Sequence, residues 1–230
     1  MHAIILAGGR GTRLRSVVSD LPKPMAPVNG SPFLEHLMQK LINEGVQSFT
    51  LAVGYMSDSI VQYFGSQFQG KPVRYSVEAT PMGTGGAVLQ AVTGIKAGRA
   101  LVVNGDTYLF SSSLGLRNLI NSDAVCNLLA ISCPDVARYG CLKLNNDGRL
   151  LEISEKGEKG EGLINTGIYA FDVNYLRSLS NIPCSLELDI LPKLIGAKLV
   201  SVSTVIGSFI DIGVPTDYRR AQQMFSATEI

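Results

Sequence analysis

The residues in this chain best suited to chemistry are a run of glycines, two cations and a few carboxylates. An apolar stretch, Ala3-Ile4-Ile5-Leu6-Ala7, leads into Gly8-Gly9-Arg10-Gly11-Thr12-Arg13-Leu14, and Pro22-Lys23-Pro24 follows. In an open α/β sheet, ligands bind beyond the carboxyl ends of the strands, so this loop is placed for one. Glycines let backbone N–H groups approach an anion closely, and Arg13 and Lys23 add fixed positive charge, which points to phosphate. A dinucleotide fingerprint would need a third glycine after Gly9-x-Gly11, and a P-loop kinase would need G-K-[ST]; neither is present. Val102-Val103-Asn104-Gly105-Asp106 sets an aspartate at the end of another apolar run, beside a glycine that permits close approach. Such a carboxylate suits a hard cation, although a strand-end turn or N-cap is the commoner role for a lone Asp. Only His2 and His36 are histidines, and Cys126, Cys133, Cys141 and Cys184 show no C-x-x-C spacing, which argues against zinc. Chemistry must rest on carboxylates, cations, backbone amides or a hard metal.

The elements that would hold these residues alternate through the first half. Strands are expected at 3–7, 49–53, 73–77 and 100–103, with helices over Phe33–Asn43, from about Ser57 and Asp58, and from Gly85-Gly86 through Val88, Leu89 and Val92. That alternation implies βαβ units and a mostly parallel sheet flanked by helices, a Rossmann-like α/β fold. The second half reads as strand-rich, with runs at 124–131, 141–144, Leu150–Ile153, 167–171 and 199–205, and a hairpin turn at Asn145-Asn146-Asp147-Gly148. Ser185, followed by Glu187 and Asp189, signals a capped helix reaching about Leu194, and residues 217–225 a closing amphipathic helix.

At 230 residues the chain can bury one substantial core, and a single domain over 1–230 is the expectation. A net charge of +1 argues against a nucleic-acid partner, and no run approaches the ~18 apolar residues of a membrane span. The start reads as a core strand rather than a signal peptide, so a cytoplasmic protein is expected. A homo-oligomer is left open.

The string G-G-x-G-T-R-L … P-K-P resembles the signature of sugar-1-phosphate nucleotidyltransferases. The resemblance implies that Leu6, Ala7, Gly8, Gly9, Gly11 and Thr12 wrap a nucleoside triphosphate whose phosphates Arg13 and Lys23 grip. Glu78-Ala79-Thr80-Pro81-Met82-Gly83-Thr84-Gly85-Gly86-Ala87 is similar to the family's E-x-x-P-L-G-T-[AG]-G-A, with Met82 in place of Leu. By that likeness Glu78, Pro81, Gly83, Thr84 and Gly85 line the base and ribose. A carboxylate accepts from two adjacent donors, and guanine offers N1–H and N2–H₂ side by side where uracil and thymine offer one N–H; Glu78 thus mildly favours GTP, against the reading of an exposed strand-end acid. Asn104-Gly105-Asp106 matches [NG]-G-D, and Phe209-Ile210-Asp211-Ile212-Gly213-Val214-Pro215 resembles W-x-D-[IV]-G-T-P. The resemblance pairs Asp106 with Asp211 as ligands of Mg²⁺, which sequence distance alone would not do.

For the sugar end, the same resemblance gives Glu155 to sugar hydroxyls and Lys156 to the sugar phosphate, from Leu151-Glu152-Ile153-Ser154-Glu155-Lys156-Gly157. Asn165-Thr166-Gly167-Ile168-Tyr169 looks like N-[TAG]-G-[IV]-Y, and Tyr139-Gly140 like the Y-G segment, so Asp106, Tyr139, Gly140, Asn165 and Thr166 join the sugar pocket. The nucleotide-binding half is then about 1–110 and the sugar-binding half about 111–230. Arg13-Leu14-Arg15-Ser16-Val17-Val18 is similar to the heptose 1-phosphate guanylyltransferase branch, from which Thr166 departs where Gly is frequent. The implied reaction is in-line attack of a sugar phosphate on the α-phosphorus of the triphosphate, with Arg13, Lys23 and Mg²⁺ neutralising charge and Asp106 completing the catalytic set. A cytidylyl- or uridylyltransferase, or a non-catalytic subunit of the same fold, are the alternatives.

Overall fold

The computed structural model describes every residue except 10, 15, 97, 155, 156, 158, 181, 182, 229 and 230, together with the side chain of Thr228. Eight strands form one sheet in the order Val200–Val205, Cys126–Cys133, Gly162–Asp172, Arg99–Asn104, His2–Leu6, Ser48–Val53, Lys71–Val77, Gln67–Phe68. His2–Leu6 runs parallel to both neighbours, and Ser48–Val53 parallel to Lys71–Val77. Gly162–Asp172 is antiparallel to both of its neighbours, while Val200–Val205 runs parallel to Cys126–Cys133. The expected Rossmann-like, mixed sheet flanked by helices is therefore found.

Side-chain alternation splits the core into two layers. Ala3 and Ile5 pack with Leu34, Leu37, Met38 and Leu41 on one face, and Ile4 and Val102 with Ala87, Val88 and Tyr169 on the other. Both faces being covered explains why the central strands read as continuous apolar runs. The helix Phe33–Asn43 buries Phe33, Leu34, Leu37, Met38 and Leu41, one stripe at helical spacing, with Glu35 in its first turn and Lys40 in its last. A third cluster joins Leu14 and Ala26 of the glycine-rich region to Ile210, Ile212, Tyr218 and Phe225, so this loop is anchored on the C-terminal helix Pro215–Thr228.

Three local outcomes differ from expectation. The strand expected at 167–171 begins at Gly162, and its pairing with Cys126–Cys133 slips between Asn165 and Tyr169. A strand at Thr107–Phe110, not foreseen, pairs antiparallel with Ser208–Asp211. Ser185 caps its helix by accepting from Leu188 N, but the first turn, Leu186–Ile190, is π-wound before the α-helix Leu191–Gly196. Pro192 lacks the N–H that a continuous α-turn would use there, and the winding widens around it. Among the described residues no helix is long and apolar enough to cross a membrane.

Candidate functional site

A cavity of about 630 Å³ opens at the carboxyl ends of the central strands, lined on its floor by Leu6, Lys23, Asn104 and Asp106 and on its wall by Gly8, Gly9, Glu78, Pro81, Gly83 and Thr84. Lys23 stands in a short 3₁₀ turn, Lys23–Met25, between two prolines; Pro22 is extended (φ −66, ψ 147), and its carbonyl accepts from Met25 N at 2.8 Å. The prolines fix the backbone, so the Lys23 side chain leaves in one direction. Gly11 lies against it: φ there is +57, and a Cβ would come within 2.8 Å of the Lys23 Cβ. Gly11, which stands outside the cavity lining, therefore has a packing reason to be glycine.

Lys23 Nζ donates to Asp106 Oδ2 and lies 3.4 Å from Asp211 Oδ1. The unforeseen pairing of Thr107–Phe110 with Ser208–Asp211 brings the two aspartates together, with Asp211 opposite Thr107 and Ile212 N donating to the Asp106 carbonyl at 3.0 Å. Gly213 N donates to Asp211 Oδ1 at 2.6 Å. The Asp211 carboxyl is raised above its ordinary range, by burial first and then by the charge of Asp106, against the opposing pull of Lys23 and Gly213. Two carboxylates thus share one ammonium, an arrangement short of positive charge and suited to a further cation. No three His, Cys, Asp or Glu side chains converge among the described residues, at this pair or elsewhere. A hard ion held by two carboxylates would complete its shell with phosphate oxygens and water, as Mg²⁺ commonly does.

The wall is built differently. Glu78 N donates to the Val53 carbonyl at 2.8 Å, and Glu78 Oε2 accepts from Met82 N at 3.0 Å, which curls the 78–83 loop into a hook. The helix Gly83–Ala91 begins at its end, with Gly83 and Thr84 of its first turn on the cavity wall. Thr84 Oγ1 donates to Glu187 Oε2 at 2.6 Å and accepts from Leu186 N at 2.9 Å. Glu187, Gly54, Tyr55, Pro24, Ala79, Thr80 and Ala87 line the cavity without having been singled out in sequence. For Glu187 the helix-start pattern masked it, since an acid in a first turn is explained by capping alone.

Several expected residues stand outside the cavity lining. Thr12 and Arg13 are exposed on the loop, Ala7 is buried beneath it, and Gly85 and Gly105 are backbone close to the walls. Tyr139 packs edge-on to Phe209 with ring centroids 5.4 Å apart, and Gly140 follows it. The neighbouring Arg138 holds Asp217 with two hydrogen bonds, tying this segment to the C-terminal helix. Asn165 Nδ2 donates to Tyr169 Oη at 2.7 Å. The Thr166 side chain is buried and donates to the Leu129 carbonyl at 2.7 Å. Gly167, at φ +76, leaves no room for a Cβ against Asn104, so the slipped register presses this strand onto a cavity residue. Burial pushes the Tyr169 phenol up, and the nearby Glu187 charge adds to the shift. Glu155 and Lys156 lie outside the described residues.

Glycine loop, paired aspartates and shared lysine on this sheet are the attributes of an enzyme that handles nucleotide phosphates, and the chain belongs to the nucleotidyl transferase family, whose model matches residues 2–228. It is 38% identical over 226 residues to the D-glycero-alpha-D-manno-heptose 1-phosphate guanylyltransferase of Aneurinibacillus thermoaerophilus, covering 97% of each chain. The enzyme of the same name from Campylobacter jejuni is 37% identical over 219 residues, covering 95% of this chain and 97% of that one. The solved structure of HddC from Yersinia pseudotuberculosis complexed with GMP-PN has a TM-score of 0.86 and 37% identity, covering 97% of this chain and 99% of that one. A divalent metal ion is in general use in this family.

Proposed function

We propose that this chain transfers GMP from GTP to D-glycero-D-manno-heptose 1-phosphate, releasing pyrophosphate and forming a GDP-heptose for surface polysaccharide. The observation that supports the reading is the Asp106–Lys23 pair on the floor of a cavity walled by the Glu78–Thr84 hook, with Asp211 behind the floor at 3.4 Å from Lys23 Nζ. The two heptose 1-phosphate guanylyltransferases, similar over nearly the whole of each chain, support the base and the sugar.

In this reading an oxygen of the sugar phosphate attacks the α-phosphorus in line. The new P–O bond forms as the bond from the α-phosphorus to the oxygen bridging the β-phosphate breaks, and that oxygen leaves with pyrophosphate. The nucleophile is anionic near neutral pH, so no histidine base is needed. His2 is bonded to Ser48 and Thr50 and its pKa is lowered to about 4, chiefly by burial, while His36 bonds the Val28 carbonyl. Lys23 and Arg13 neutralise the phosphates, the glycines offer N–H groups, and Lys156 orients the nucleophile while Glu155 and Asn165 meet the sugar. Asp106 and Asp211 would hold Mg²⁺, which when bound supplies positive charge at the α-phosphate. We also read 1–230 as one domain, since the eight-stranded sheet draws strands from both halves, and we propose a cytoplasmic location.

Pyrophosphate release measured with GTP, ATP, UTP, CTP and dTTP against heptose, mannose and glucose 1-phosphates tests the reading. The highest kcat/KM is expected for GTP with the heptose. Equal use of a pyrimidine nucleotide would overturn the base, and preference for mannose or glucose 1-phosphate the sugar.

A further inference from the structure

Glu187 lines the cavity together with Thr84, Leu6, Asn104 and Asp106. One carboxylate oxygen, Oε2, is pinned by two hydroxyls: Thr84 Oγ1 donates to it at 2.6 Å and Ser185 Oγ at 3.1 Å. Backbone bonds fix the segment that carries it. Cys184 N donates to the Met82 carbonyl at 3.0 Å, and Gly86 N donates to the Cys184 carbonyl at 3.1 Å. The other oxygen, Oε1, accepts from no described residue. A half-buried carboxylate with one oxygen held and the other open to the cavity is an acceptor in a fixed position for a donor on a ligand.

The donor it calls for is a neutral O–H. A phosphate beside Glu187 would be repelled by like charge, and the floor of the cavity already offers Lys23 for that purpose. Both substrates of the proposed reaction carry hydroxyls, on the ribose and on the transferred sugar. The surroundings favour the sugar. Glu187 is close enough to the buried Tyr169 for its charge to act on the phenol, and Tyr169 Oη accepts from Asn165, in the half of the chain away from Glu78. Glu78, by contrast, is braced on Met82 and packed against Gly8.

Resting on the proposed transferase reading, we infer that Glu187 is a specificity-determining residue that accepts a hydroxyl of the sugar 1-phosphate through Oε1, while Thr84 and Ser185 hold its other oxygen in place. Gln at 187 keeps an acceptor for Thr84 and turns an NH₂ toward the cavity. Asp keeps the charge and withdraws it by one methylene.

The test is steady-state kinetics of wild type, Glu187→Gln and Glu187→Asp with the heptose 1-phosphate, its series of monodeoxy analogues, GTP and 2′-deoxy-GTP, with melting temperatures measured alongside. Each variant should lose about ten- to a hundredfold in kcat/KM for the heptose 1-phosphate, mainly through KM, with the KM for GTP unchanged. One deoxy analogue should be poor with wild type and no poorer with the variants, because the contact is already missing. An equal penalty on every analogue would make Glu187 only a brace for the hook. A change in the GTP to 2′-deoxy-GTP ratio would move its contact to the ribose. Either result overturns the inference, as does an unaltered sugar KM. Wild type inactive with every sugar 1-phosphate would instead overturn the transferase reading itself.

Discussion

The floor and the wall of the cavity are made by opposite means. The floor is a charge cluster drawn from distant parts of the chain: Lys23 reaches Asp106 across 83 positions and Asp211 across 188. The wall is local, a hook closed by Glu78 on Met82 four positions away, and shaped by backbone. The floor gathers like charges at a cost to the fold, and on the proposed function it meets the charge that develops in the reaction. The wall costs little and is made for shape. Changes on the floor should therefore strike turnover, and changes in the wall should strike choice of ligand.

The largest effect is expected from Asp106→Asn, which keeps size and removes charge. Its kcat should fall by on the order of 10²–10³ with folding intact. Asp211→Asn should behave alike, and the double variant should lose less than the product because both disable one ion. Titrating Mg²⁺ in each assay checks this; near-normal turnover in either single variant would make that aspartate structural. On the wall, Glu78→Gln replaces the acceptor that closes the hook and should reduce the preference for GTP over ATP by about tenfold, the worth of one hydrogen bond to a charged group, while kcat with GTP changes little. Loss of turnover with no change in preference would erase the contrast between floor and wall.

Gly9→Ala sharpens the same comparison on a smaller scale. A Cβ at Gly9 meets nothing within 4 Å, whereas at Gly11 it meets Lys23. Gly9→Ala should leave the melting temperature unchanged and raise the KM for GTP by roughly tenfold, the worth of one displaced hydrogen bond to a charged group. An unchanged KM would mean that no phosphate approaches this backbone. The smallest effect is in stability: Asp211→Asn relieves the repulsion from Asp106 and should melt slightly higher than wild type, measurable by calorimetry. A lower melting temperature would show that the ion pair outweighs the repulsion.

The wall was legible in sequence because it is local. Gly8, Gly9, Glu78, Pro81, Gly83 and Thr84 stand in two short strings, and contiguous strings keep their meaning in the fold. The parallel strands were legible too, since burial on both faces leaves unbroken apolar runs such as Ala100 to Val103. On the floor, Lys23 and Asp106 stood out by residue type and place, but the pairing of Asp106 with Asp211 was legible only through resemblance. The pairing that unites its aspartates depends on Thr107–Phe110, four residues whose burial alternates, too short to separate from a turn. The slipped register at Asn165–Tyr169 is set by contact with Asn104, and no periodicity carries such a contact. Glu187 was read as part of a helix start, which it is, and its place in the cavity follows from Thr84 on another element.

The pairing of Thr107–Phe110 with Ser208–Asp211 also orders events in time. Asp211 lies on the last strand of the fold, so during synthesis Lys23 and Asp106 exist long before their third partner. A nascent chain can assemble the parallel strands and close the hook while its floor still lacks one carboxylate. If Asp106 and Asp211 hold the ion as proposed, competence for chemistry arrives with the strand Ser208–Asp211, and a shorter nascent chain would have no complete ion site with which to spend a nucleoside triphosphate.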